Sequence, residues 1–252
     1  MGRLTGKVAI VTGGARGLGE AMVRLFAGEG AKVVVADVLD EDGTALVAAL
    51  GDNTRFARLD VRSEAEWQRV VGTTEAEFGP VSVLVNNAGI SGFYPIENYP
   101  EDEYRRVIDI NQVGVFLGMK STIPSMRRGG GGSIVNISSA SGLIGKPHVV
   151  AYTAAKFAVR GMTKVAAVEN GRDNIRVNSI HPGVIRTSMV ANPDDATPGS
   201  LHPIIEGIME MLPAGRVGEP IEIAHMALLL ASDEMRYATG AEFVIDGGLT
   251  CE

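Results

Sequence analysis

Short apolar runs rich in β-branched residues alternate with helical patterns along almost the whole chain, and this alternation constrains the fold most. Repeated β–α units predict a parallel sheet covered by helices on both faces, because a buried parallel strand forms a continuous apolar run. The predicted strands are Lys7–Thr12, Lys32–Ala36, Thr54–Asp60, Val81–Asn86, Ser133–Ile137, Ile175–Ile180 and Glu242–Ile245. The predicted helices are Glu20–Glu29, Asp40–Leu50, Ser63–Phe78, Glu101–Ser125, Tyr152–Asn170 and Pro220–Ser232. We therefore expect one α/β domain, residues 1–252, with a doubly wound, seven-stranded parallel sheet.

The first predicted strand leads directly into a glycine-rich turn and then a helix. In a sheet of this kind, ligands bind beyond the carboxyl ends of the strands. Glycines let the backbone approach a pyrophosphate, and a helix N-terminus supplies free N–H groups. The spacing departs from the usual G-x-G-x-x-G, and a glycine cluster alone also suits a flexible turn. The candidate phosphate-binding residues are Gly13, Arg16, Gly17, Leu18 and Gly19.

Asp37 ends the second predicted strand, eighteen residues after Gly19. A carboxylate near that distance suits the two hydroxyls of an adenosine ribose, and its charge would repel a 2′-phosphate. Arg16 could attract such a phosphate, but no basic residue follows directly after Asp37. We therefore predict NAD(H) rather than NADP(H) as the cofactor. The alternative is that Asp37 caps the helix that begins near Asp40.

Two further strand ends offer adenine contacts. After the third predicted strand, the Asp60 carboxylate could accept the adenine amino group, and the backbone N–H of Val61 could meet a ring nitrogen. Asn87 follows the fourth strand, where Ala88 and Gly89 leave room for a flat adenosine. Alternatively, Asp60 is a helix cap and Asn87 is a turn residue, since asparagine favours turns.

Tyr152 and Lys156 lie four residues apart in a helical pattern, with Ser139 thirteen residues upstream of the tyrosine. Residues at i and i+4 share one helix face, so the phenol and the ammonium are expected to point into the same pocket. A tyrosine has a pKa near ~10, which a neighbouring cation lowers towards neutrality, as proton transfer requires. Taken alone, the pair also fits a half-exposed helix face.

Six motifs together, in this order, resemble the short-chain dehydrogenase/reductase family. The resemblance extends from about Gly6 to Gly248 and implies a Rossmann fold, with hydride transfer between nicotinamide and a carbonyl carbon. Within the family, stretches such as TGGARGLG and GGGSIVNISSASG are most similar to bacterial NAD-dependent 3α(20β)-hydroxysteroid dehydrogenases. The motifs are Thr12-Gly13-x3-Gly17-Leu18-Gly19, Asn86-Asn87-Ala88-Gly89, Asn111, Ser139, Tyr152-x3-Lys156 and Pro182-Gly183.

The resemblance implies a role for each catalytic candidate. Tyr152 would be the acid and base that exchanges a proton with the substrate oxygen. Ser139 would donate a hydrogen bond to that oxygen. Lys156 would lower the pKa of the tyrosine and bind the nicotinamide ribose. Asn111 would hold a water that links Lys156 to solvent, although a surface asparagine in a helix is the alternative.

The resemblance also implies a carboxamide contact after the sixth strand. The backbone of Ile185 and the hydroxyl of Thr187 would hold the nicotinamide carboxamide. The alternative for Pro182-Gly183 is a plain turn.

Residues 188–213 break the β–α rhythm with a mixture of loop and apolar residues. A long insertion above the strand ends predicts a mobile lid over the substrate, and an ordinary buried helix with a disordered lead-in is equally compatible. The other candidate pocket walls are mostly apolar, which favours a bulky, apolar secondary alcohol or ketone, with steroids among the candidates. Those wall residues are Phe93, Tyr94, Leu143, Ile144 and Val149, with His148 as a further residue that lines the pocket or faces solvent.

Two other functions remain open. A 3-oxoacyl-carrier-protein reductase of the same family would use NADPH and a basic docking patch, for which Arg127-Arg128 is a candidate. Cations at a helix C-terminus are expected without any partner, however, and Asp37 argues against NADPH. A non-enzymatic NAD-binding regulator is the remote alternative, and the presence of both Tyr152 and Lys156 argues against it.

Composition narrows the partners and the compartment. The formal net charge of −7 disfavours a nucleic-acid partner, which would need a basic face. A single cysteine, Cys251, excludes an intrachain disulfide and fits the cytoplasm, and the four histidines are too scattered for a metal site. No apolar stretch is long enough to span a membrane, and the immediate first strand leaves no room for a signal peptide. Apolar stripes on two predicted helices favour a homo-oligomer, and the resemblance implies a tetramer.

Overall fold

The structure is a computed structural model, and it describes residues 2–191, 203, 207–208 and 212–251. Its seven strands are all parallel and form one sheet, as the sequence predicts. The strands are β1 (Val8–Thr12), β2 (Lys32–Asp37), β3 (Thr54–Arg58), β4 (Val83–Asn86), β5 (Gly132–Ile137), β6 (Ile175–Pro182) and β7 (Glu242–Ile245). Their order across the sheet is β3-β2-β1-β4-β5-β6-β7. This is a doubly wound Rossmann arrangement.

Helices cover both faces of the sheet. Residues Ala9 and Val11 of β1 pack into the core on one face, while Ile10 between them packs into the core on the other. Both faces are therefore dry, which explains why the strands are continuous apolar runs. The described helices are α1 (Gly17–Gly28), α2 (Asp40–Leu50), α3 (Glu64–Phe78), α4 (Glu101–Ile108), α5 (Gly114–Arg128), α6 (Val150–Asn170) and α7 (Pro220–Ala231). Helices α1, α2 and α7 supply the first core, and α3, α5 and α6 supply the second.

The strand order reverses between β1 and β4, which are neighbours in the sheet. Val11 of β1 aligns with Val35 of β2 on one side and with Val85 of β4 on the other. The chain leaves β1 and β4 in opposite directions at their carboxyl ends, and this opens a crevice between the loops that follow them. The crevice is the point in the fold where a ligand is expected.

The predicted helix Glu101–Ser125 is interrupted by a π-helical turn. The turn spans Asp109–Val113 and joins α4 to α5, which continues to Arg128 and contains Pro124. A π turn inserts an extra residue into a helix and is frequent at functional sites. Here the turn contains Asn111, whose side chain is fully buried.

Most of the predicted lid, residues 188–213, lies outside the described residues. Within that segment the structure describes 188–191, 203, 207–208 and 212–213. The predicted lid residues that lie outside the described part are Asn192, Pro193, Asp194, Asp195, Pro198, Leu201, Ile204, Ile205, Met209 and Met211. Across the described ranges, no helix combines the length and the apolar character needed to cross a bilayer.

Candidate active site

A cleft of about 960 Å³ lies at the carboxyl ends of the strands. It brings together residues from six separate loops, because parallel strands end at the same edge of the sheet. The predicted site residues that line it are Gly13, Arg16, Gly17, Leu18, Asp37, Asp60, Val61, Asn87, Ser139, Tyr152, Lys156, Ile185 and Thr187. Two predicted residues lie behind its described wall, Gly19 and Asn111, and both are buried.

The glycine-rich loop is shaped by close backbone approaches. Gly13 and Gly17 have φ angles of 59° and 56°, in the left-handed region that favours glycine. A Cβ on Gly19 would lie 1.9 Å from the carbonyl oxygen of Gly13 and 2.8 Å from Nδ2 of Asn87. The helix α1 begins at Gly17, so its N-terminal N–H groups face the cleft. The loop therefore has the form that a pyrophosphate requires.

Asn87 ties the end of β4 to the glycine-rich loop. Its side-chain amide donates to the carbonyl oxygens of Thr12, at 2.9 Å, and Gly13, at 3.0 Å. The hydroxyl of Thr12 accepts from the backbone N–H groups of Asn87, at 3.0 Å, and Ala88, at 3.1 Å. These bonds set the width of the crevice. They give Asn87 a structural task that its prediction as an adenosine contact did not include.

Asp37 is a nearly buried carboxylate, 8% exposed, whose oxygens are fixed by backbone donors. It accepts from the N–H groups of Ala15 at 3.0 Å, Val38 at 2.7 Å and Leu39 at 3.2 Å. Val38 and Leu39 both precede α2, which begins at Asp40, so these bonds do not cap the helix as the alternative requires. Asp37 lines the cleft instead. Fixed negative charge at this place disfavours a second negative group.

Arg16 lines the cleft beside Asp37, but its guanidinium already has a partner. Its Nη2 lies 2.6 Å from the carboxylate of Asp42 on α2. A phosphate on the adenosine ribose would have to compete with that ion pair.

Asp60 and Val61 follow β3 and line the cleft. The carboxylate of Asp60 accepts three side-chain bonds from Arg62, with a shortest distance of 2.6 Å. The Arg62 hydrogen bond lowers the pKa of Asp60, so this acceptor is ionised at neutral pH. The carbonyl of Val61 accepts from the indole N–H of the buried Trp67 at 3.0 Å, which fixes the backbone of this segment.

Tyr152 and Lys156 share one face of α6 and both line the cleft. The Nζ of Lys156 lies 5.4 Å from the centre of the Tyr152 ring and donates to the carbonyl oxygen of Ile137 at 2.7 Å. Burial lowers the pKa of Lys156 from 10.5 to about 8. The two groups therefore meet, as the i, i+4 spacing predicts.

The pKa of Tyr152 is raised in this structure, whereas the spacing to Lys156 predicts a lowered one. Burial raises the pKa of Tyr152, and a hydrogen bond with Ser139 opposes the rise. Burial is the larger of these two effects, and the ammonium of Lys156 is already engaged, because it donates to the carbonyl oxygen of Ile137. The sequence gives the spacing of the pair and does not give the dielectric surroundings of either group.

Ser139 is positioned by a buried histidine that sequence analysis did not include in the site. The ring of His181 lies with Nδ1 at 3.1 Å from the carbonyl oxygen of Ser139 and Nε2 at 2.9 Å from the hydroxyl of Ser179. The side chain of His181 is fully buried, and burial lowers its pKa, which favours the neutral ring. Its place directly before Pro182-Gly183, at the end of the sixth strand, is the signal that could have identified it.

Asn111 is not the exposed asparagine of the alternative interpretation. Its side-chain oxygen accepts from the backbone N–H of Ile90 at 2.9 Å, and its amide donates to the carbonyl oxygen of Ile90 at 2.8 Å. The two bonds join the π turn to the loop that follows β4. Asn111 thus links the helix layer to the cleft.

Ile185 and Thr187 line the cleft close to the glycine-rich loop. Ile185 forms a β-bridge with Gly218, and the Thr187 hydroxyl lies 3.5 Å from the carbonyl oxygen of Ile185. A Cβ on Gly17 would lie 3.2 Å from the methyl group of Thr187. The segment after β6 therefore closes over the start of α1, where the sequence predicts a carboxamide contact.

Comparison with known proteins identifies the family. A family model described as enoyl-(acyl carrier protein) reductase matches residues 13–250. A 3-alpha-(or 20-beta)-hydroxysteroid dehydrogenase of Mycobacterium tuberculosis is 49% identical over 98% of this chain and 90% of its own length. The chain belongs to the short-chain dehydrogenase/reductase family. It is accordingly an oxidoreductase that acts on CH–OH groups with a nicotinamide cofactor.

Two further relatives show the range of named activities around this short-chain dehydrogenase/reductase. The trans-4-hydroxycyclohexanecarboxylate dehydrogenase of Sinomonas cyclohexanicum is 42% identical over 98% of this chain and 94% of its own length. The NADP-dependent (R)-specific alcohol dehydrogenase of Lentilactobacillus kefiri is 43% identical over 99% of both chains.

The substrate side of the cleft in this short-chain dehydrogenase/reductase is mainly apolar. Of the predicted wall residues, Phe93 and Val149 line it, while Tyr94, Leu143 and Ile144 are not among its described lining residues. His148 also lines it and has a φ of 66°, an unusual angle for a residue other than glycine. Apolar residues that were predicted as part of the lid complete the wall: Met189, Val190 and Ile208.

Among the residues that the structure describes, no group of three or more His, Cys, Asp or Glu side chains could hold a metal ion.

Proposed function

We propose that the protein is an NAD-dependent dehydrogenase that interconverts a bulky, apolar secondary alcohol, cyclic in form, and its ketone. The observation that carries this proposal is the placement of two groups in one cleft. A half-buried phenol beside a serine lies at one part of the cleft, and the fixed Asp37 carboxylate lies at another. The first can exchange a proton with an alcohol, and the second suits a ribose diol.

The residues present fit a dinucleotide. The close approaches at Gly13 and Gly19, which a Cβ would block, leave a backbone surface for the pyrophosphate. Asp37 would bind the adenosine ribose, Asp60 and Val61 the adenine, and Ile185 and Thr187 the carboxamide. When bound, the nicotinamide supplies or accepts the hydride at the carbinol carbon.

The chain's own residues handle the proton and the oxygen. In the direction of ketone reduction, the Tyr152 hydroxyl gives its proton to the substrate oxygen, and in alcohol oxidation the phenolate takes it back. The raised pKa of Tyr152 keeps the free protein in the phenol form. Ser139 donates a hydrogen bond to the same oxygen and stabilises the charge that develops there.

Lys156 acts through its position under the tyrosine ring. A pKa of about 8 leaves the ammonium largely protonated at neutral pH, although it is buried. The positive charge favours the phenolate that forms during alcohol oxidation. The decisive experiment for the reaction is turnover of Tyr152→Phe, because the variant keeps the ring and loses only the proton donor.

NAD is proposed over NADP because of the charge around Asp37. Its carboxylate is fixed by three backbone N–H groups, and the nearby Arg16 is paired with Asp42. The relative from Lentilactobacillus kefiri is named NADP-dependent, so the family contains both preferences. The test is kcat/KM for NADH against NADPH with one ketone, and a strong NADPH preference contradicts the proposal.

The cyclic substrate is proposed from the apolar wall and from two relatives named for cyclic alcohols. Aliphatic side chains such as Val149, Met189 and Val190 offer contact area to a ring and few polar partners. A panel of hydroxysteroids, cyclic alcohols and linear secondary alcohols tests this. We expect cyclic alcohols to have the highest kcat/KM, and equal kcat/KM for linear alcohols of the same carbon number contradicts it.

A 3-oxoacyl-carrier-protein reductase is the second candidate, because the description of the matching family model names a reductase of acyl-carrier-protein substrates. Its proposed docking patch is weak, because Arg127 is paired with Asp173 at 2.6 Å and Arg128 with Glu75 at 2.5 Å. These arginines end α5 directly before β5 begins, so they lie at the amino edge of the sheet, away from the cleft. Turnover of an acyl-carrier substrate with NADPH, faster than any cyclic ketone with NADH, would reverse the ranking.

A non-enzymatic NAD-binding regulator is the third candidate. It predicts tight NAD binding with no turnover of any alcohol or ketone in the panel. The cleft contains both Tyr152 and Lys156, which a regulator does not need.

We also propose a homotetramer in the cytoplasm, with residues 188–213 as a lid over the substrate. Helices α5 and α6 carry exposed apolar side chains, among them Phe116 at 49% and Val168 at 84% exposure, which a neighbouring subunit would cover. Light scattering tests the assembly, and a stable monomer contradicts it.

The cytoplasm is proposed from the free, exposed Cys251. The lid is supported by Met189, Val190 and Ile208 in the cleft wall.

A further inference from the structure

A second cavity lies at the amino edge of the sheet, at the opposite end of the strands from the cleft. Its volume is about 410 Å³, and its lining comes from segments that precede β1, β4, β5 and β6 and from the chain that follows α7. The glycines 129–132 form part of its wall, so this part of the wall presents no side chains to fill the space. Nothing in the proposed hydride transfer uses this cavity.

The charges around the cavity are unbalanced. Lys7, Arg176 and Arg236 line it together with one carboxylate, Asp233, so three cations face one anion among its described lining residues. The chain as a whole has a net charge of −7, which makes a local excess of positive charge unusual here. Such a site attracts anions and repels cations.

Arg176 is a half-buried cation of this group. Its Nη2 donates to the carbonyl oxygens of Leu230 at 2.7 Å and Ser232 at 3.0 Å, which fixes the plane of the guanidinium. Its Nη1 is buried and has no hydrogen-bond partner in the described part of the chain. A buried donor without an acceptor is unfavourable, and an oxyanion in the cavity would satisfy it.

Burial lowers the pKa of Arg176. The negative charge of Asp233 opposes this shift, and the positive charge of Arg236 adds to it. These surroundings disfavour positive charge, and a bound anion would compensate for them.

The other two cations are only partly neutralised. The Nζ of Lys7 lies 2.9 Å from Asp233, while Arg236 lies 3.7 Å from the same carboxylate and is 78% exposed. Asp233 is therefore the shared ion-pair partner of both cations. Both side chains can turn towards a ligand that enters the cavity, because neither is enclosed.

The backbone N–H groups of the wall glycines 130–132 are not free to bind a ligand. The N–H groups of Gly130, Gly131 and Gly132 already donate to carbonyl oxygens of the chain. Recognition must come from side chains, and the cationic ones are the guanidinium and ammonium groups described above. Guanidinium groups match the geometry of multivalent oxyanions, with two parallel N–H donors.

We propose that this cavity binds a small multivalent oxyanion of the phosphate class, held by Nη1 of Arg176 and by Lys7 and Arg236 at the rim. The anion would join the amino ends of β1 and β6 to the segment that follows α7. A ligand that binds only the folded protein stabilises it, so the bound anion should raise the melting temperature.

The test is titration of the full-length protein with inorganic phosphate by isothermal calorimetry. Saturating NADH is present, so that the glycine-rich loop is occupied, and sodium chloride keeps the ionic strength constant. We expect one saturable phosphate site per chain and a melting temperature that rises with phosphate and not with chloride. Absence of saturable binding overturns the proposal.

Four substitutions sharpen the test. Arg176→Met should weaken phosphate binding by about tenfold or more, and Lys7→Gln and Arg236→Gln should each weaken it severalfold. Asp233→Asn should tighten it, because a competing carboxylate is removed. A general loss of structure would weaken phosphate binding in every variant, so tighter binding by Asp233→Asn cannot be explained in that way.

Arg172→Gln is the matched control. Arg172 is exposed just before β6 and does not line the cavity, so its loss removes one positive charge from the same edge without touching the site. Phosphate affinity should stay unchanged. If Arg176→Met does not fold, the phosphate affinities of Lys7→Gln, Arg236→Gln and Asp233→Asn test the proposal instead. Affinities equal to that of the wild type in all three overturn it.

Discussion

The two halves of the cleft are built on different physical principles. In the nucleotide half, Asn87 and Asp37 are hydrogen-bonded to backbone, and glycines allow approaches that a side chain would block. In the reacting half, Tyr152, Lys156 and His181 are titratable groups whose pKa values burial has shifted. In the proposed reaction the first half would select its ligand by shape, and the second would control protons. Changes in shape should therefore damage binding, while changes in proton affinity should damage turnover.

The largest effect is expected from Tyr152→Phe in the reacting half. Loss of the phenol proton removes the acid and base of the proposed reaction, so kcat should fall by roughly a thousandfold or more. NADH affinity, measured by fluorescence titration, should stay within about twofold. Activity near that of the wild type contradicts the assigned role, and loss of both activity and NADH binding would break the separation between the two halves.

Gly19→Ala tests the nucleotide half by shape alone. The new Cβ would lie 1.9 Å from the carbonyl oxygen of Gly13, so the loop must move. We expect NADH affinity to fall by about a hundredfold, since the pyrophosphate contacts depend on that loop.

Gly28→Ala is its control at the other end of α1, where a Cβ would meet nothing within 4 Å. That variant should bind NADH like the wild type. Equal affinity in both variants contradicts the importance of the close approach.

Asp37→Asn tests charge selection inside the nucleotide half. The amide keeps the shape and removes the charge that repels a 2′-phosphate, so the ratio of kcat/KM for NADPH to that for NADH should rise by about tenfold. Asp60→Asn is the matched control, because Asp60 is paired with Arg62 at the adenine end. It should alter both cofactors equally and leave the ratio unchanged.

The smallest effect concerns the stability cost of the buried Lys156. Below pH 8 the lysine is protonated in both the folded and the unfolded chain, and the full cost of burying its charge is present. As the pH rises from about 8 towards 10.5, the unfolded chain keeps the proton longer, so the folded protein becomes more stable. Relative to Lys156→Met, the wild-type free energy of unfolding should rise by roughly 2 kcal/mol between pH 7 and pH 9.5.

Denaturant unfolding of both proteins at the two pH values, at one protein concentration, measures this difference. A difference that stays constant with pH would mean that the lysine retains an ordinary pKa in the folded protein.

The doubly wound parallel sheet was within reach of sequence analysis, because local patterns in the sequence indicate each strand and helix, whereas the order of the strands came from the structure. The central strands are apolar on both faces, as β1 shows, and the glycine-rich turn at Gly13–Gly19 marks the first β–α unit. Parallel β–α units connect with one handedness and leave few topologies. The family motifs then placed the candidate residues at the strand ends, where the cleft is found.

The role of Asn111 and His181 required the tertiary structure. A π turn places Asn111 against the backbone of Ile90, which is twenty-one positions away in sequence. His181 reaches the carbonyl of Ser139 from a different strand, forty-two positions away. Such contacts depend on how the loops pack, and no local periodicity encodes them.

The sequence by itself determined the doubly wound sheet, the glycine-rich loop and the spacing that brings Tyr152 and Lys156 to one helix face. Only the tertiary structure decided the proton affinities, since burial raised the pKa of Tyr152 where the spacing alone predicted a lowered one. It also decided the cationic cavity at the amino edge, where Lys7, Arg176 and Arg236 come from distant parts of the chain. The physical reason is that local spacing fixes which groups can meet, whereas desolvation and net local charge depend on everything packed around them.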